Sequence, residues 1–251
     1  MKTVWALSDL HLACSIPSKN MNVFGPLWED YMDKMRTSWL ESIDAGDLVL
    51  IPGDISWAIN LSQVGADLKW IDDLPGTKVI LKGNHDYWWD STAKMSKIMP
   101  PSIHFIHNSV YNWHDISIGG ARLWDTPEYN FNQYVHFQEN SRENKADKPK
   151  PIESEKIFHR DLERLKLSLK QLSPQAKTRI AMTHYPPISA DLKPSITSAI
   201  LEEFKIDICV FGHLHNLKKD KKLFGEIRGV RYILTSCDYL DFKPLLVLKN
   251  I

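Results

Sequence analysis

The sequence predicts an α/β fold in which a sandwich of β-sheet is flanked by helices. Short apolar runs have the composition of buried strands, and amphipathic stretches lie between several of them. In the first half of the chain the two alternate, which is typical of βαβ units with parallel strands. Between Ile103 and Trp124 the apolar runs follow one another with little room for helices. A sheet sandwich with outer helices accommodates both patterns.

The individual elements follow from periodicity. Apolar or β-branched runs predict strands at 3–7, 48–51, 78–81, 103–106, 116–118, 179–183, 208–211, 231–235 and 245–248. Apolar residues at spacings of three and four predict helices over 27–40, 61–71 and 158–172. These stripes are interpreted as core faces rather than as cofactor contacts.

Length, charge and composition limit the number of domains and the classes of function that the chain can have. A chain of 251 residues fits one domain, so we expect a single domain over 1–251. Lys+Arg and Asp+Glu balance at 31 each, which argues against a surface for nucleic acid or an anionic membrane. No apolar stretch approaches the ~20 residues that cross a bilayer. The three scattered cysteines, and an N-terminal apolar run too short for a signal peptide, predict a cytoplasmic protein.

Five polar clusters carry the chemistry, and most of them directly follow an apolar run. They are Asp9-Leu10-His11, Gly53-Asp54, Gly83-Asn84-His85-Asp86, His184 and Gly212-His213-Leu214-His215. Their side chains offer nitrogen and oxygen ligands but no thiolate, which suits hard or borderline divalent ions. Because loops at the carboxyl ends of strands converge in α/β sheets, we expect the clusters to meet at one edge.

This ordered set resembles the calcineurin-like metallophosphoesterase superfamily from Asp9 to His215. The resemblance implies a four-layer sandwich of two mixed β-sheets flanked by helices. It also implies two divalent metal ions, with manganese favoured and iron, zinc or nickel as other options. One ion would be held by Asp9, His11, Asp54 and His215, and the other by Asp54, Asn84, His184 and His213, so that Asp54 bridges them.

The resemblance further implies hydrolysis of a phosphomonoester or phosphodiester. A hydroxide bridging the two metals would be the nucleophile, and His85 would be the general acid that protonates the leaving oxygen. Asp86 either orients His85 or caps the next turn. In the Ser/Thr protein-phosphatase branch, an aspartate and an arginine stand where this chain has Trp57 and Ala58. That departure argues against a protein phosphatase and favours a small phosphate ester as substrate.

Two other functions stay open at this stage. A metal-dependent nuclease is disfavoured by the balanced charge, because binding of a polyanion normally recruits many lysines and arginines. A non-catalytic interaction module on the same fold should have lost ligands, and none is missing. The sequence predicts neither the oligomeric state nor the native metals.

Several other features can be interpreted either as functional or as purely structural. The polar stretch 127–152 predicts a surface insertion, either a lid or a plain solvated loop. Trp57, Tyr87, Trp88 and Trp89 either form a stacking surface beside the metals or simply pack in the core. The run 218–222 is interpreted as a solvated turn. Five histidines match no motif position and receive no function: His104, His107, His114, His136 and His159.

Overall fold

Two β-sheets form the centre of the protein. A computed structural model describes residues 2–136, 151–221 and 223–249. The five-stranded sheet has the order β11-β1-β2-β3-β4 and the six-stranded sheet the order β5-β6-β7-β8-β10-β9. The strands are β1 (Thr3–Ala6), β2 (Leu48–Ile51), β3 (Thr77–Leu81), β4 (Ile103–Ile106), β5 (Val110–Trp113), β6 (Ile116–Ala121), β7 (Thr178–Thr183), β8 (Ile208–Phe211), β9 (Gly225–Ile227), β10 (Val230–Leu234) and β11 (Leu245–Lys249).

Both sheets are mixed. Strands β1 to β4 pair in parallel and β11 joins β1 antiparallel. In the second sheet β6, β7, β8 and β10 are parallel, while β5 and β9 are antiparallel edge strands. The parallel strands therefore all carry their carboxyl ends to one side of each sheet. The expected fold class is confirmed.

Helices cover the outer faces. They are α1 (Tyr31–Ser42), α2 (Gly65–Asp72), α3 (Thr92–Ile98), α4 (Pro151–Leu169) and α5 (Ile196–Glu203). One buried apolar cluster joins α1, α2 and α3 to the first sheet, and another joins α4 and α5 to the second. Among the described residues, no helix combines the length and apolar character needed to cross a membrane.

The core between the sheets follows from strand alternation. In the fully buried strand β2, Leu48 and Leu50 face the second sheet, whereas Val49 and Ile51 face the helices. Such strands are apolar on both faces, which is why the sequence shows a continuous apolar run there. The resulting layers are helix, sheet, sheet, helix.

The predicted elements differ from the structure mainly at their ends. The helix predicted over 27–40 begins only at Tyr31, because the preceding chain forms short 3₁₀ turns. Two of these turns, Pro17–Lys19 and Pro26–Trp28, begin with a proline. Helix α2 begins at Gly65 rather than at Leu61. Helix α4 begins at Pro151, so the last two residues of the predicted insertion 127–152 belong to it. Residues 137–150 of that insertion lie outside the described residues.

Candidate metal centre

The polar clusters lie at the carboxyl ends of the parallel strands, as expected. Asp9 follows β1, Asp54 follows β2 and Asn84 follows β3. In the other sheet, His184 follows β7 and the Gly212–His215 segment follows β8. Backbone hydrogen bonds join the loops: the Asp9 amide donates to the Gly53 carbonyl (3.0 Å) and the His11 amide to the Asp54 carbonyl (3.0 Å).

Several of these residues have a backbone conformation that side chains rarely adopt. Asp9, His11, Asp54 and His213 have φ values of 58°, 45°, 51° and 73°. A residue other than glycine in this left-handed region costs roughly 1–2 kcal/mol. Strain of this kind is typical of functional sites, where the surrounding structure holds it in place. Four of the seven predicted metal ligands carry it.

Two glycines allow the loops to approach the carboxylates. A Cβ atom added at Gly83 would lie 2.1 Å from Oδ1 of Asp54, and one added at Gly212 would lie 2.2 Å from Oδ2 of Asp9. No side chain fits at such distances, so glycine is required at both positions.

The first set of donor atoms surrounds the Nε2 atom of His11. That atom lies 3.3 Å from Nε2 of His215 and 3.7 Å from Oδ2 of Asp54. Nε2 of His215 lies 3.6 Å from Oδ1 of Asp9. One ligand atom each from Asp9, His11 and His215 fits within 4.8 Å, a spacing that a single ion can bridge.

The second set lies on the other side of Asp54. Oδ1 of Asp54 is 3.5 Å from Nε2 of His184. The Asn84 Oδ1 atom lies 2.7 Å from that same nitrogen and 3.0 Å from Nδ1 of His213. We call the two sets together the donor cluster: Asp9, His11, Asp54, Asn84, His184, His213 and His215. The structure thus brings together all the predicted metal ligands.

The imidazole rings are held in different ways. Nδ1 of His215 lies 2.9 Å from Oδ1 of Asp238, and Nδ1 of His184 lies 2.9 Å from the Pro52 carbonyl. Both partners are acceptors, so Nδ1 donates to them and Nε2 is the nitrogen that faces the cluster. His11 instead stacks on the indole of Trp57, with centroids 4.9 Å apart.

Burial and neighbouring charges set the protonation of the cluster. Burial lowers the pKa of His11 and of His213 well below the ordinary value, so both are neutral bases at neutral pH. Burial also opposes charge on His184 and His215, but neighbouring carboxylates, Asp54 and Asp238 respectively, outweigh it and raise the pKa of each to about 9. A cation bound here would have to displace those protons, so its affinity should increase with pH.

The donor cluster suits divalent metal ions. Buried carboxylates, an amide oxygen and imidazole nitrogens converge without a thiolate, which is the donor set of borderline and hard divalent cations. His11 and His215 present Nε2 atoms to each other at 3.3 Å, and once the proton on Nε2 of His215 is displaced, both nitrogens offer a lone pair there. A cation between the rings would satisfy both.

His85 and Asp86 have different environments. The ring of His85 lies beside that of Trp57, with centroids 4.8 Å apart, and its Nδ1 atom is buried without a hydrogen-bond partner among the described residues. The Asp86 carboxylate accepts hydrogen bonds from the amides of Ile55, Ser56 and Gly83 and from Nε1 of Trp88. Asp86 thus fastens the Asp54 loop to the Gly83 loop, and none of its side-chain hydrogen bonds within the described chain goes to His85.

Comparison with known proteins identifies the family. The family model described as calcineurin-like phosphoesterase matches residues 2–217. The chain belongs to this family. The calcineurin-like phosphoesterases are metal-dependent enzymes, and the resemblance seen in the motifs is confirmed.

Individual relatives of this calcineurin-like chain are similar to it over part of its length or at low sequence identity. The Gene 66 proteins of Mycobacterium phages D29 and L5 are 35% and 34% identical to it over 86 residues. Those alignments cover 34% of this chain and 41% of each phage protein, so they span less than half of either relative. The crystal structure of a phosphopantetheinyl hydrolase from Mycobacterium tuberculosis has a similar fold, with a TM-score of 0.58 and 14% identity over 99% of this chain and 96% of that one.

The aromatic residues of this calcineurin-like site separate into two groups. Trp88 and Trp89 are buried in the core, where packing accounts for them. Tyr87 is 58% exposed. Trp57 is half-buried between His11 and His85, so of the four residues it is the one in contact with both rings.

The lysine-rich run 218–222 is consistent with the predicted turn. Lys219 pairs with Asp241, and Lys218 donates to the Gln133 carbonyl. Lys222 lies outside the described residues.

Asp238 is the site residue that sequence reasoning missed. Its carboxylate is buried and also accepts from the Asn216 amide (2.9 Å). A carboxylate behind a metal-binding histidine is the usual second partner of the imidazole. The available signal was its position: Asp238 closely follows the predicted strand 231–235, at the same sheet edge as the other clusters.

Proposed function

We propose that this calcineurin-like phosphoesterase hydrolyses a small phosphomonoester or phosphodiester with two divalent metal ions. One ion would be held by Asp9, His11, Asp54 and His215, and the other by Asp54, Asn84, His184 and His213. Manganese is the first ion to test, with iron, zinc and nickel as alternatives.

One observation carries the two-metal proposal. The two oxygens of Asp54 point to different histidines: Oδ2 lies 3.7 Å from Nε2 of His11, and Oδ1 lies 3.5 Å from Nε2 of His184. A shared carboxylate in this position can screen two neighbouring cations and fix their separation. Asp54 is itself positioned, since the His85 amide donates to its Oδ1 at 2.8 Å.

The chain's own residues supply positioning and a proton. When bound, divalent ions lower the pKa of a water that attacks phosphorus and neutralise charge on the phosphate oxygens. His85 is half-buried and its ring contacts that of His11, with centroids 5.7 Å apart, so the imidazole lies beside the donor cluster and can donate a proton to the leaving oxygen. Asp86, whose bonds go to both loops, keeps the backbone of His85 beside Asp54. We therefore assign Asp86 a positioning role.

A substrate screen tests the proposed function. Protein reconstituted with manganese is assayed against aryl and alkyl phosphomonoesters, phosphodiesters and cyclic nucleotides. The panel includes a phosphopantetheinyl ester because the structure of similar fold is a phosphopantetheinyl hydrolase. We expect metal-dependent hydrolysis of at least one class, with about two metal ions per chain. A protein that binds metal but hydrolyses nothing in the panel would be an interaction module instead.

The role of His85 has its own test. His85→Ala should lower the turnover of esters with poor leaving groups by about 10²–10⁴-fold, the usual contribution of a general acid. Esters with good leaving groups should be affected much less, and metal content should not change. His159→Ala is the matched control, because His159 lies on the exposed face of α4. Equal losses for good and poor leaving groups would remove His85 from proton transfer.

A further inference from the structure

A polar cavity lies next to the loops that carry the proposed metal ligands. Its volume is about 320 Å³, and it opens between the carboxyl ends of β3, β4 and β6 and the middle of α4. None of the donor cluster residues lines it. It nevertheless adjoins two of their loops, because Lys82 immediately precedes Gly83 and the Arg122 carbonyl accepts the His184 amide at 3.1 Å. We call it the basic cavity.

The cavity carries more positive than negative charge. The charged side chains in its lining are Lys82, Arg122, Arg160 and Arg164, against the carboxylates of Asp90 and Asp161. Asp90 already pairs with Lys94 at 2.7 Å, a residue outside the lining. The four cations therefore face one buried carboxylate that is available to them.

That carboxylate is saturated by arginine. Oδ2 of Asp161 accepts from Nε and Nη2 of Arg122 at 3.2 and 3.0 Å. Oδ1 accepts from Nη1 of Arg164 at 3.0 Å and from Nε of Arg160 at 3.3 Å. One negative charge thus orders three guanidinium groups, and each of them keeps N–H donors that Asp161 does not use.

Lys82 is the cation without a counterion. It is half-buried, and among the described residues no hydrogen bond or ion pair reaches its Nζ atom. His107, which also lines the cavity, has its pKa lowered by burial and then by Arg164 and Lys82.

We propose that the basic cavity is a second anion site that binds the phosphate group of a small molecule, separate from the metal centre. Arginine forks match phosphate oxygens in pairs, and an unpaired lysine adds a point charge. The volume lies at the lower end of the range for small-molecule sites, which accommodates a phosphate with a compact organic group. Lys82 lies in the loop that also carries Asn84, so the two sites share a chain segment without sharing a side chain.

Calorimetry with inorganic phosphate tests the site. The metal-loaded parent protein and Asp54→Asn, which disrupts the metal centre, should both bind phosphate in the cavity. Arg160→Gln/Arg164→Gln should weaken that binding at least tenfold. Lys166→Gln/Lys170→Gln is the matched control: it removes the same charge from the α4 region without touching the cavity lining. Lys82→Gln is the second variant, because it leaves the Asp161 ion pairs intact.

The outcomes separate the alternatives. Binding that disappears in Asp54→Asn but persists in the arginine double variant would place all phosphate at the metal centre and overturn the proposal. Equal weakening by both double variants would reduce the effect to general surface charge and overturn it too. Tighter binding of a nucleoside monophosphate than of inorganic phosphate, lost with Lys82→Gln, would show that the ligand is an organic phosphate rather than the free ion.

Discussion

The segment Lys82–Asp86 contributes residues both to the donor cluster and to the basic cavity. The donor cluster has oxygen and nitrogen atoms that could bind a cation, whereas the basic cavity has an excess of positive charge. In the donor cluster, buried carboxylate oxygens and imidazole nitrogens converge: Nε2 of His11 lies 3.3 Å from Nε2 of His215, and Oδ1 of Asp54 lies 3.5 Å from Nε2 of His184. In the basic cavity, three arginines share one buried carboxylate, and Lys82 has no ion pair among the described residues. Buried polar groups normally find partners of opposite character within the chain. The ligands proposed for the two regions differ accordingly: cations for the donor cluster, whose donor atoms are oxygens and nitrogens, and an anion for the basic cavity, whose lining has an excess of positive charge.

Replacement of Asp54 should have the largest effect. Asp54→Asn removes the charge that two cations would share, so we expect loss of one or both metal ions and a fall in turnover of about 10³-fold or more. Metal analysis together with steady-state kinetics measures both. Asp73→Asn is the control, because Asp73 is an exposed partner of Lys69 in an i,i+4 pair. A variant with full metal content and near-normal rates would show that Asp54 is not the bridging ligand.

A single methyl group at Gly83 should have the next largest effect. In Gly83→Ala the new Cβ would lie 2.1 Å from Oδ1 of Asp54, so the loop or the carboxylate must move. Displacements of about 1 Å in a catalytic site can cost roughly 10²-fold in rate. We expect a loss of that size in kcat, measured with the best ester of the screen.

Gly46→Ala is the matched substitution for Gly83→Ala. A Cβ atom at Gly46 meets nothing within 4 Å, so its rate and its thermal unfolding should stay at the parental values. An active Gly83→Ala protein with unchanged metal affinity would mean that the close approach of the two loops is not needed for catalysis.

Sequence reasoning located the donor cluster because its residue types are unusual and each follows an apolar run. Gly83, Asn84 and His85 form a motif of three consecutive residues that can be recognised in the sequence. The loops at the carboxyl ends of strands in an α/β sheet meet at one edge, so the motifs could be expected to lie together. Asp238 carries no such signal, since a single aspartate after a strand is commonly a turn residue. Its partnership with His215 depends on the packing of β10 beside β8, which periodicity does not reveal.

The fold and the basic cavity likewise include features that have a sequence pattern and features that arise only from tertiary packing. Strands β2 and β3 are apolar on both faces and were predicted within a residue of their observed ends. Strand β9 has three residues and helix α3 has two turns with one buried residue, Met95, so neither has a periodic pattern to detect. The basic cavity is composed of residues from three strand ends and a helix, and its charge excess exists only after those elements meet.

Removal of the partner of His215 should have a moderate effect. Asp238→Asn takes away the carboxylate that fixes the imidazole with its proton on Nδ1 and raises its pKa. Loss of such a partner typically costs about 10–100-fold in metal affinity. Because the pKa of His215 should then fall from about 9, protons should compete less with the metal, and the affinity should depend less steeply on pH.

Metal titrations at several pH values measure both effects of Asp238→Asn. Asp241→Asn serves as the control, since Asp241 lies nearby in sequence but pairs with Lys219 at the surface. If Asp238→Asn leaves both the affinity and its pH dependence unchanged, the carboxylate has no influence on the metal centre.

Neutralising Asp161 should have the smallest effect on activity and should separate the two regions. Asp161→Asn leaves three guanidinium groups without their shared charge. Because these arginines are 16%, 51% and 42% exposed, solvent screens them and we expect a loss of only about 1–2 kcal/mol in the free energy of unfolding. The positive excess of the basic cavity increases by one charge, so phosphate should bind there more tightly, by a few-fold. Metal content should stay the same.

Glu163→Gln removes the same charge from α4 outside the cavity, where Glu163 pairs with Lys166. It should change neither stability nor phosphate affinity by a comparable amount. Chemical denaturation and phosphate calorimetry on both variants distinguish the cases. Weaker phosphate binding in Asp161→Asn would mean that the carboxylate matters by ordering the arginines rather than by opposing the anion, so the sign of this one change decides whether charge or geometry governs the cavity.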